Sequence, residues 1–387
     1  MTEARPTNRP RSAKQGMLRG LGLLSAPLVF FGMAELLLAL IGFGGWPPLF
    51  VASSDMPGHL EANSRVMQRY FPGRETRLGI DPILFKKEKP AGTLRIVVQG
   101  GSTAAGFPYG RWAGLAGMLG DRLEAAHPDS EIEVVSTAMA AVNSYTLLDF
   151  VDEIIETEPD LVLIYAGHNE YLGIFGAGSA ITAGRSRAAT ALHLRLSRFR
   201  VYQLMATSLS AVKNWSAPAG AGGTQARDTL LAQAAKGVEI PNDSETYEEG
   251  LLQFETNLSR ILEKYQRAEI PVYIGTLTSN ERDQAPFAGG VLNEANAEPF
   301  AALMREAEGG YQSGELERAR DAVGRAVVLS PRAANGWFLS GRIEQAARAP
   351  EAARAAYRKA KDFDRLRFRA PEAVSYTHLT LPTICSV

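Results

Sequence analysis

Arg95-Ile-Val-Val-Gln-Gly-Gly-Ser-Thr-Ala-Ala-Gly106 opens on a β-branched run, Ile96 to Val98, and closes on two glycines, a serine and small residues. A short apolar run that stops at Gly-Gly-Ser predicts a buried strand with Ser102 on the turn at its C-terminal end. In open α/β sheets ligands bind at that end. Small residues behind the serine let a helix start close by, so backbone N–H groups can face negative charge. By itself the stretch also fits an ordinary Gly-rich strand-to-helix turn. Its neighbours decide.

Two later strand ends extend the pattern. Glu131-Ile-Glu-Val-Val-Ser-Thr-Ala-Met-Ala-Ala-Val-Asn143 is a predicted strand followed by small residues. Asp160-Leu-Val-Leu-Ile-Tyr-Ala-Gly-His-Asn-Glu170 is another, ending in Gly-His-Asn-Glu. Between them helices are expected over 109–126, with Trp112, Leu115, Met118, Leu119 and Leu123 on one face, and over 144–158 with Ser144 as cap. Strands separated by helices of this length predict an α/β fold with a parallel sheet and right-handed crossovers. Ser244-Glu-Thr-Tyr-Glu248 has the look of a capping box and starts a helix to about Ala268. Pro271 to Leu277 is the next buried strand. Ser279 to Phe287 follows it, again at the C-terminal edge, where Arg282 and Asp283 either pair with each other or touch substrate.

On these strand ends the chain resembles the SGNH (GDSL-type) hydrolases. Gly100-Gly-Ser-Thr103 stands where that family has Gly-Asp-Ser, which implies Ser102 as nucleophile. Gly167-His-Asn-Glu170 stands where it has Gly-x-Asn-Asp, which implies the Asn169 amide as an oxyanion-hole donor. Ala141 falls where the family's intervening block has a glycine whose N–H points at the oxyanion; a backbone donor survives Gly→Ala if the dihedrals allow it. The resemblance implies a three-layer α/β/α fold and acyl-transfer chemistry. A serine hydroxyl is a weak nucleophile until a base takes its proton. The tetrahedral intermediate needs fixed donors, each worth roughly 3–4 kcal/mol where one was removed from a serine protease. The N–H groups of Ser102 and Ala141 and the amide of Asn169 would supply three. Gly101, His168, Arg282 and Asp283 complete the candidates as substrate contacts, and the chemistry calls for no cofactor or metal. The family's Asp-x-x-His block, which should supply the base, has no counterpart: Ser375 stands three residues before His378.

A chain of 387 residues allows at least two folded units. The net charge of -1 argues against a nucleic-acid partner. The one cysteine, Cys385, excludes an internal disulfide framework. Arg5, Arg9, Arg11, Lys14 and Arg19 oppose only Glu3 in a basic tail, 1–19, ahead of an apolar stretch over 20–42. That pattern predicts a single-pass signal-anchor in a bacterial inner membrane, with the folded part outside the cytoplasm. Glu35 interrupts the stretch at a cost. A cleaved signal peptide is the competitor, but no small-x-small site follows the apolar core and Gly-Trp-Pro-Pro at 45–48 resembles an interfacial anchor. Residues 43–90 then form a juxtamembrane linker and 91–292 the hydrolase-like domain. Inside 171–243 the periodicity fades, apart from a helical reading from Leu194 to Val212. Ala217 to Gly223 is a Gly/Ala/Pro stretch, suited to a lid or substrate wall. His59, His127 and His193 have no clustered partners and read as structural.

Over 293–373 the composition turns to Ala, Arg and Glu and repeats itself. Ala319 matches Ala353, Arg320 matches Arg354, Ala322 matches Ala356 and Ala326 matches Ala360. An offset of 34 is the period of tetratricopeptide helix pairs. Trp337, Gly341 and Tyr357 occupy the expected aromatic and small positions. Such helices would pack on the hydrolase domain and either bind a protein partner or shape its cleft. Residues 374–387 lack Arg and Lys, share nothing with the repeat and read as an adapter-derived artefact. The natural chain would continue from about Ala373 into the missing base block, and the chain as written is expected to be essentially inactive. The function expected of the parent is ester hydrolysis on an acylated small molecule or glycan outside the cytoplasm. Acyl transfer to an envelope glycan and a non-catalytic repeat scaffold are the alternatives.

Overall fold

Ile96 to Val98 lie at the centre of a parallel sheet ordered β5-β4-β6-β7, as their apolar run dictates. Its strands are β4 (Leu94–Gly100), β5 (Ile132–Ser136), β6 (Leu161–Tyr165) and β7 (Val272–Ile274). The structure, a computed structural model, describes residues 13–70, 80–179, 186–215, 238–291 and 293–380. Val97 pairs with Val135 on one side and Val162 on the other, so β4 is buried from Arg95 to Gly100. The chain steps from β4 to β5, then back across β4 to β6. α2 (Leu115–Ala126) packs on β4 and β5, and α3 (Ser144–Ile155) packs on β4; right-handed crossovers in these two directions place such helices on opposite faces. The reversal of strand order makes a crevice beyond the C-terminal ends of β4 and its neighbours.

Several boundaries differ from expectation. The helix predicted from Tyr109 starts at Leu115, because Gly110 takes a φ of 86° and Gly114 is extended. Residues 104–114 instead double back, with Leu115 N–H donating to the Ala104 carbonyl at 3.0 Å, and Trp112 and Met118 are exposed. The cap of α3 is Asn143, whose side chain accepts from Tyr145 N–H, not Ser144. Ser244 does cap α6 (Glu245–Arg267), accepting from Tyr247 N–H at 3.2 Å. Tyr247 occupies the position where a capping box would have its acid.

Residues 43–90 carry an antiparallel sheet of β1 (Phe50–Ala52), β2 (His59–Ala62) and β3 (Leu84–Lys86). It is fastened to the N-terminal end of the parallel sheet by Arg95. That buried guanidinium pairs with Glu133 at 2.8 Å, donates to the carbonyls of Lys86 and Thr157, and lies 5.1 Å from the Phe85 ring centroid. Five donors on one fixed fork let a single buried residue tie three segments together.

The chain divides into two compact units. One comprises Met1–Pro47, Gln68–Arg74 and Ala191–Gly223; the other Pro48–Met67, Glu75–Thr190 and Thr224–Val387. In the first, α1 (Ala13–Leu40) packs against α5 (Arg200–Trp215). Glu35 accepts from the Arg200 and Val201 N–H groups at 2.8 and 3.0 Å, so the acid that interrupts the apolar stretch satisfies the orphan donors of α5. Pro27 lies inside α1. Among the described residues no helix is long and apolar enough to cross a membrane, so the span expected over 20–42 finds no support. The basic tail up to residue 12, the stretch from Ala217 to Gly223 and Cys385 lie outside the described residues. The stretch expected to be irregular contains α4 (Arg187–Leu196) as well as α5, the two divided near Phe199.

In the second unit the repeat region folds as two successive helical pairs. These are α7 (Ala297–Ser313) with α8 (Leu316–Leu329), and α9 (Ala334–Ala346) with α10 (Pro350–Phe363). Their second helices keep the sequence offset from Leu316 to Pro350. Ala307, Ala319, Ala322, Val323, Leu339 and Ile343 form the core between them. The small residues of the period sit where helices touch. α11 (Glu372–Thr380) continues into the stretch expected to be foreign to the fold, with Val374 fully buried.

Candidate functional site

β4 ends where it must pass close to β6: a Cβ on Gly100 would stand 2.4 Å from the Tyr165 carbonyl oxygen. Beyond it the chain turns tightly, with Ala105 N–H donating to the Gly101 carbonyl at 3.1 Å and Phe107 N–H to the Ser102 carbonyl at 2.9 Å. Ser102 is half-buried on this turn. Among the described residues its N–H and Oγ make no hydrogen bond to protein.

The segments after β5 and β6 close on the same place. Ala141 takes a φ of 64°, the left-handed region, which costs an L-residue about 1–2 kcal/mol. Its carbonyl accepts from Ile174 N–H at 2.9 Å, while among the described residues its own N–H has no protein acceptor. Asn169 is buried and donates from Nδ2 to the Val142 carbonyl at 3.0 Å. The same Nδ2 stands 3.2 Å from where a Cβ on Gly101 would be. Glycine at 101 therefore lets the amide approach the turn that carries Ser102. Three strand ends meet here: Met139 N–H donates to the Gly100 carbonyl at 3.1 Å, and Asn169 lies against both Gly101 and Val142. Among the described residues the N–H groups of Ser102 and Ala141 donate to no protein acceptor, and Asn169 Nδ2 makes one bond, which leaves donor capacity at this end of the sheet.

Glu170, one residue on, is fully buried. Its carboxylate accepts from Ser144 N–H at 3.1 Å, Ser144 Oγ at 2.7 Å and the Gln253 amide; Asn257 donates to the same Ser144 Oγ at 2.9 Å. Burial raises its pKa to about 7 in spite of the hydrogen bonds from Ser144 and Gln253. The acid sits at the first turn of α3, where N–H groups are unpaired and the helix end is positive. Glu170–Ser144 and Asn169–Val142 thus clamp the loop after β6 to the segment after β5 at two points. The sequence reading had Glu170 orienting this loop but did not find its partners Ser144, Gln253 and Asn257. The network's only sequence signal is Gln253 and Asn257, two amides one helical turn apart on the apolar side of α6.

The remaining candidates lie elsewhere. His168 Nδ1 accepts from Ala370 N–H at 3.3 Å, and the ring packs edge-on against Tyr165. Burial, then the Lys361 charge, lowers its pKa, opposed by a hydrogen bond to the Thr278 backbone. Its Nδ1 is thus taken up by the Ala370 N–H. Arg282 and Asp283 pair with each other through two 2.9 Å bonds on the loop after β7. His378 packs on Phe254, with neither ring nitrogen hydrogen-bonded among the described residues, and burial pushes its pKa down to about 4. His59 bonds the Pro57 carbonyl, His127 ends α2, and His193 bonds Tyr202 at 2.8 Å. Among the described residues no histidine is hydrogen-bonded to Ser102.

No family model matches this chain, and no curated protein matches it. Solved structures similar to it include that of TesA, at 17% identity and a TM-score of 0.21, covering 46% of this chain and 76% of that one. The lipase/acylhydrolase from Enterococcus faecalis is similar at 16% identity and a TM-score of 0.21, covering 46% and 74%.

Proposed function

We propose that the second unit is a serine hydrolase site of the SGNH type, acting on esters, with Ser102 as nucleophile and Asn169, Ala141 N–H and Ser102 N–H as oxyanion donors. The observation that carries this reading is the meeting of the three strand ends at the crevice of the sheet. Ala141 there adopts the dihedral that a glycine would, and the Asn169 amide lies against Gly101. The helical pairs are tetratricopeptide units in the same reading, supported by their shared offset and their small contact residues.

The proposed step is attack of Ser102 Oγ on the acyl carbon. The hydroxyl proton passes to a base, and the alcohol leaves with a proton to form an acyl-enzyme, which water then hydrolyses. In this chain the base is the part without a histidine bonded to Ser102, so unaided turnover is expected to be low. Loss of the base costs about as much as loss of the nucleophile, roughly a factor of a million in a serine protease. The test therefore supplies the base. An activated acetate ester should acetylate Ser102 faster when imidazole is added, read by mass spectrometry of the modified peptide. Asn169→Ala should slow that acetylation by about 10²–10³. Acetylation at other side chains instead of Ser102, or an Asn169→Ala protein that reacts at the original rate, would overturn the reading.

A further inference from the structure

The first unit turns apolar side chains outward. On α1, Leu28, Val29, Phe30 and Phe31 follow one another, and each is more than half exposed. Successive residues of an α-helix point about 100° apart, so four in a row reach every side of it. The exposure continues at Leu36, Leu37, Leu40 and Ile41. Met205 and Leu209 on α5, and Phe199 just before it, are exposed as well. A protein partner meets a helix along one apolar stripe, whereas an apolar surface that runs round the helix suits hydrocarbon.

The polar groups of this helix pair are absorbed within it. Glu35 is the only charged residue from Leu28 to Ile41, and its carboxylate accepts from the Arg200 and Val201 N–H groups at the start of α5. Arg200 answers at the other end, its guanidinium donating to the carbonyls of Phe43 and Gly44 just past α1. Gln203 accepts from Gly45 N–H at 2.8 Å and donates to the Gly45 and Ser197 carbonyls at 2.9 and 2.7 Å. Water serves exposed helix ends unaided, but in hydrocarbon the protein must satisfy them itself. Where the apolar run ends, the Trp46 ring meets two cations, 5.1 Å from Arg69 Cζ and 5.6 Å from Arg198 Cζ, and lies edge-on to Tyr70 at 6.4 Å. Tryptophan and tyrosine gather at the level of lipid headgroups, where one end of the ring is apolar and the other wet, and arginine there faces phosphate.

We propose that α1 and α5 form one lipid-facing surface, immersed in a phospholipid bilayer with Trp46, Tyr70 and Arg198 at the headgroups. Immersion of this surface requires no helix that crosses the membrane, and among the described residues none is long and apolar enough to do so. Ser102 belongs to the other unit, so the surface and the hydrolase reading stand or fall separately.

The test is flotation of the full chain. Detergent-purified protein is mixed with vesicles of phosphatidylcholine and phosphatidylglycerol, the detergent is removed, and the mixture is centrifuged through a density gradient. The parent should float with the vesicles and remain on them in about 1 M salt, where charge is screened beyond about 3 Å. Leu37→Asp with Leu40→Asp on α1, and separately Met205→Asp with Leu209→Asp on α5, should each cut the floating fraction about tenfold, because a carboxylate is costly at bilayer depth. All four positions are exposed, and circular dichroism in detergent checks that the helices persist. Val328→Asp, at an exposed position in the other unit, should float like the parent. Four results would each overturn the proposal: a parent that stays at the bottom of the gradient, alone or as a discrete dimer; a parent stripped from the vesicles by salt; either paired variant floating like the parent; or Val328→Asp lost from the vesicles along with them.

Discussion

Ala141 holds a φ of 64° at a position where the resemblance implied a glycine. Its strain is local, so it can be measured by one substitution. Ala141→Gly removes about 1–2 kcal/mol of left-handed cost and gives back about 0.4–1 kcal/mol through a freer unfolded chain. The expected outcome is a protein between unchanged and about 1.6 kcal/mol more stable in urea unfolding. Ala141→Val, a branched residue in the same dihedral, should be less stable than either. A Gly variant that loses more than about 1 kcal/mol would show that the buried methyl matters more than the dihedral. The resemblance singled this residue out as the counterpart of a family glycine. It could not show the dihedral, because alanine is at home in every regular structure.

At the scale of elements, the loop after β6 is held to α3 and α6 through one buried carboxyl. Glu170 has a pKa of about 7 against an ordinary 4.5, so the folded state holds its proton more tightly than the unfolded one. The stability this gives is complete below about pH 4.5, falls as pH rises through 7, and is level above that. The total fall is about 3 kcal/mol, at roughly 1.4 kcal/mol per tenfold change in proton affinity. Glu170→Gln cannot ionise, so its urea midpoint should lose this downward slope between pH 5 and 8. It should also start lower at pH 5, because an amide NH₂ must face one of the Ser144 or Gln253 donors. Equal slopes in the two proteins would contradict the assignment. His168 and His378 titrate in the opposite sense in both proteins, so the comparison between them isolates the acid.

Across the second unit as a whole, the helical pairs and the sheet are joined by the chain that leaves α10. Asp364 is 3% exposed and accepts from the N–H groups of Phe287 and Ala288 at 3.0 and 2.9 Å. It also faces Arg369, which donates to the Asn280 and Gln284 carbonyls at 3.0 and 2.8 Å. Lys361 adds ion pairs to Glu281 and Glu372. The loop carrying Arg282 is thus held in place from the far end of the repeats. Asp364→Ala leaves a buried guanidinium without its partner and frees two backbone donors, an expected loss of about 3–5 kcal/mol. Trypsin should then cut after Arg282 faster than in the parent. A variant of unchanged stability and unchanged cleavage would show that the repeats do not restrain the loop.

What the sequence by itself determined is what near neighbours on the chain decide. β-branched runs bounded by glycine and proline marked four strands, the family resemblance at their ends singled out Ser102, Ala141 and Asn169, and a repeating pattern of small residues located the helical pairs. Boundaries failed where a specific hydrogen bond overrode propensity, as when Leu115 bonded Ala104 and delayed α2, or when Asn143 accepted from Tyr145 N–H and took the cap from Ser144. Glu35, read as a costly acid inside an apolar span, turned out to serve the first turn of α5. Only the tertiary structure decided that Glu170 meets Ser144 across 26 residues and that Asn257 meets the same hydroxyl across 113. The reason is that a buried polar group must find its partner wherever the fold brings one. That requirement leaves no period and no spacing in the chain for a reader to find.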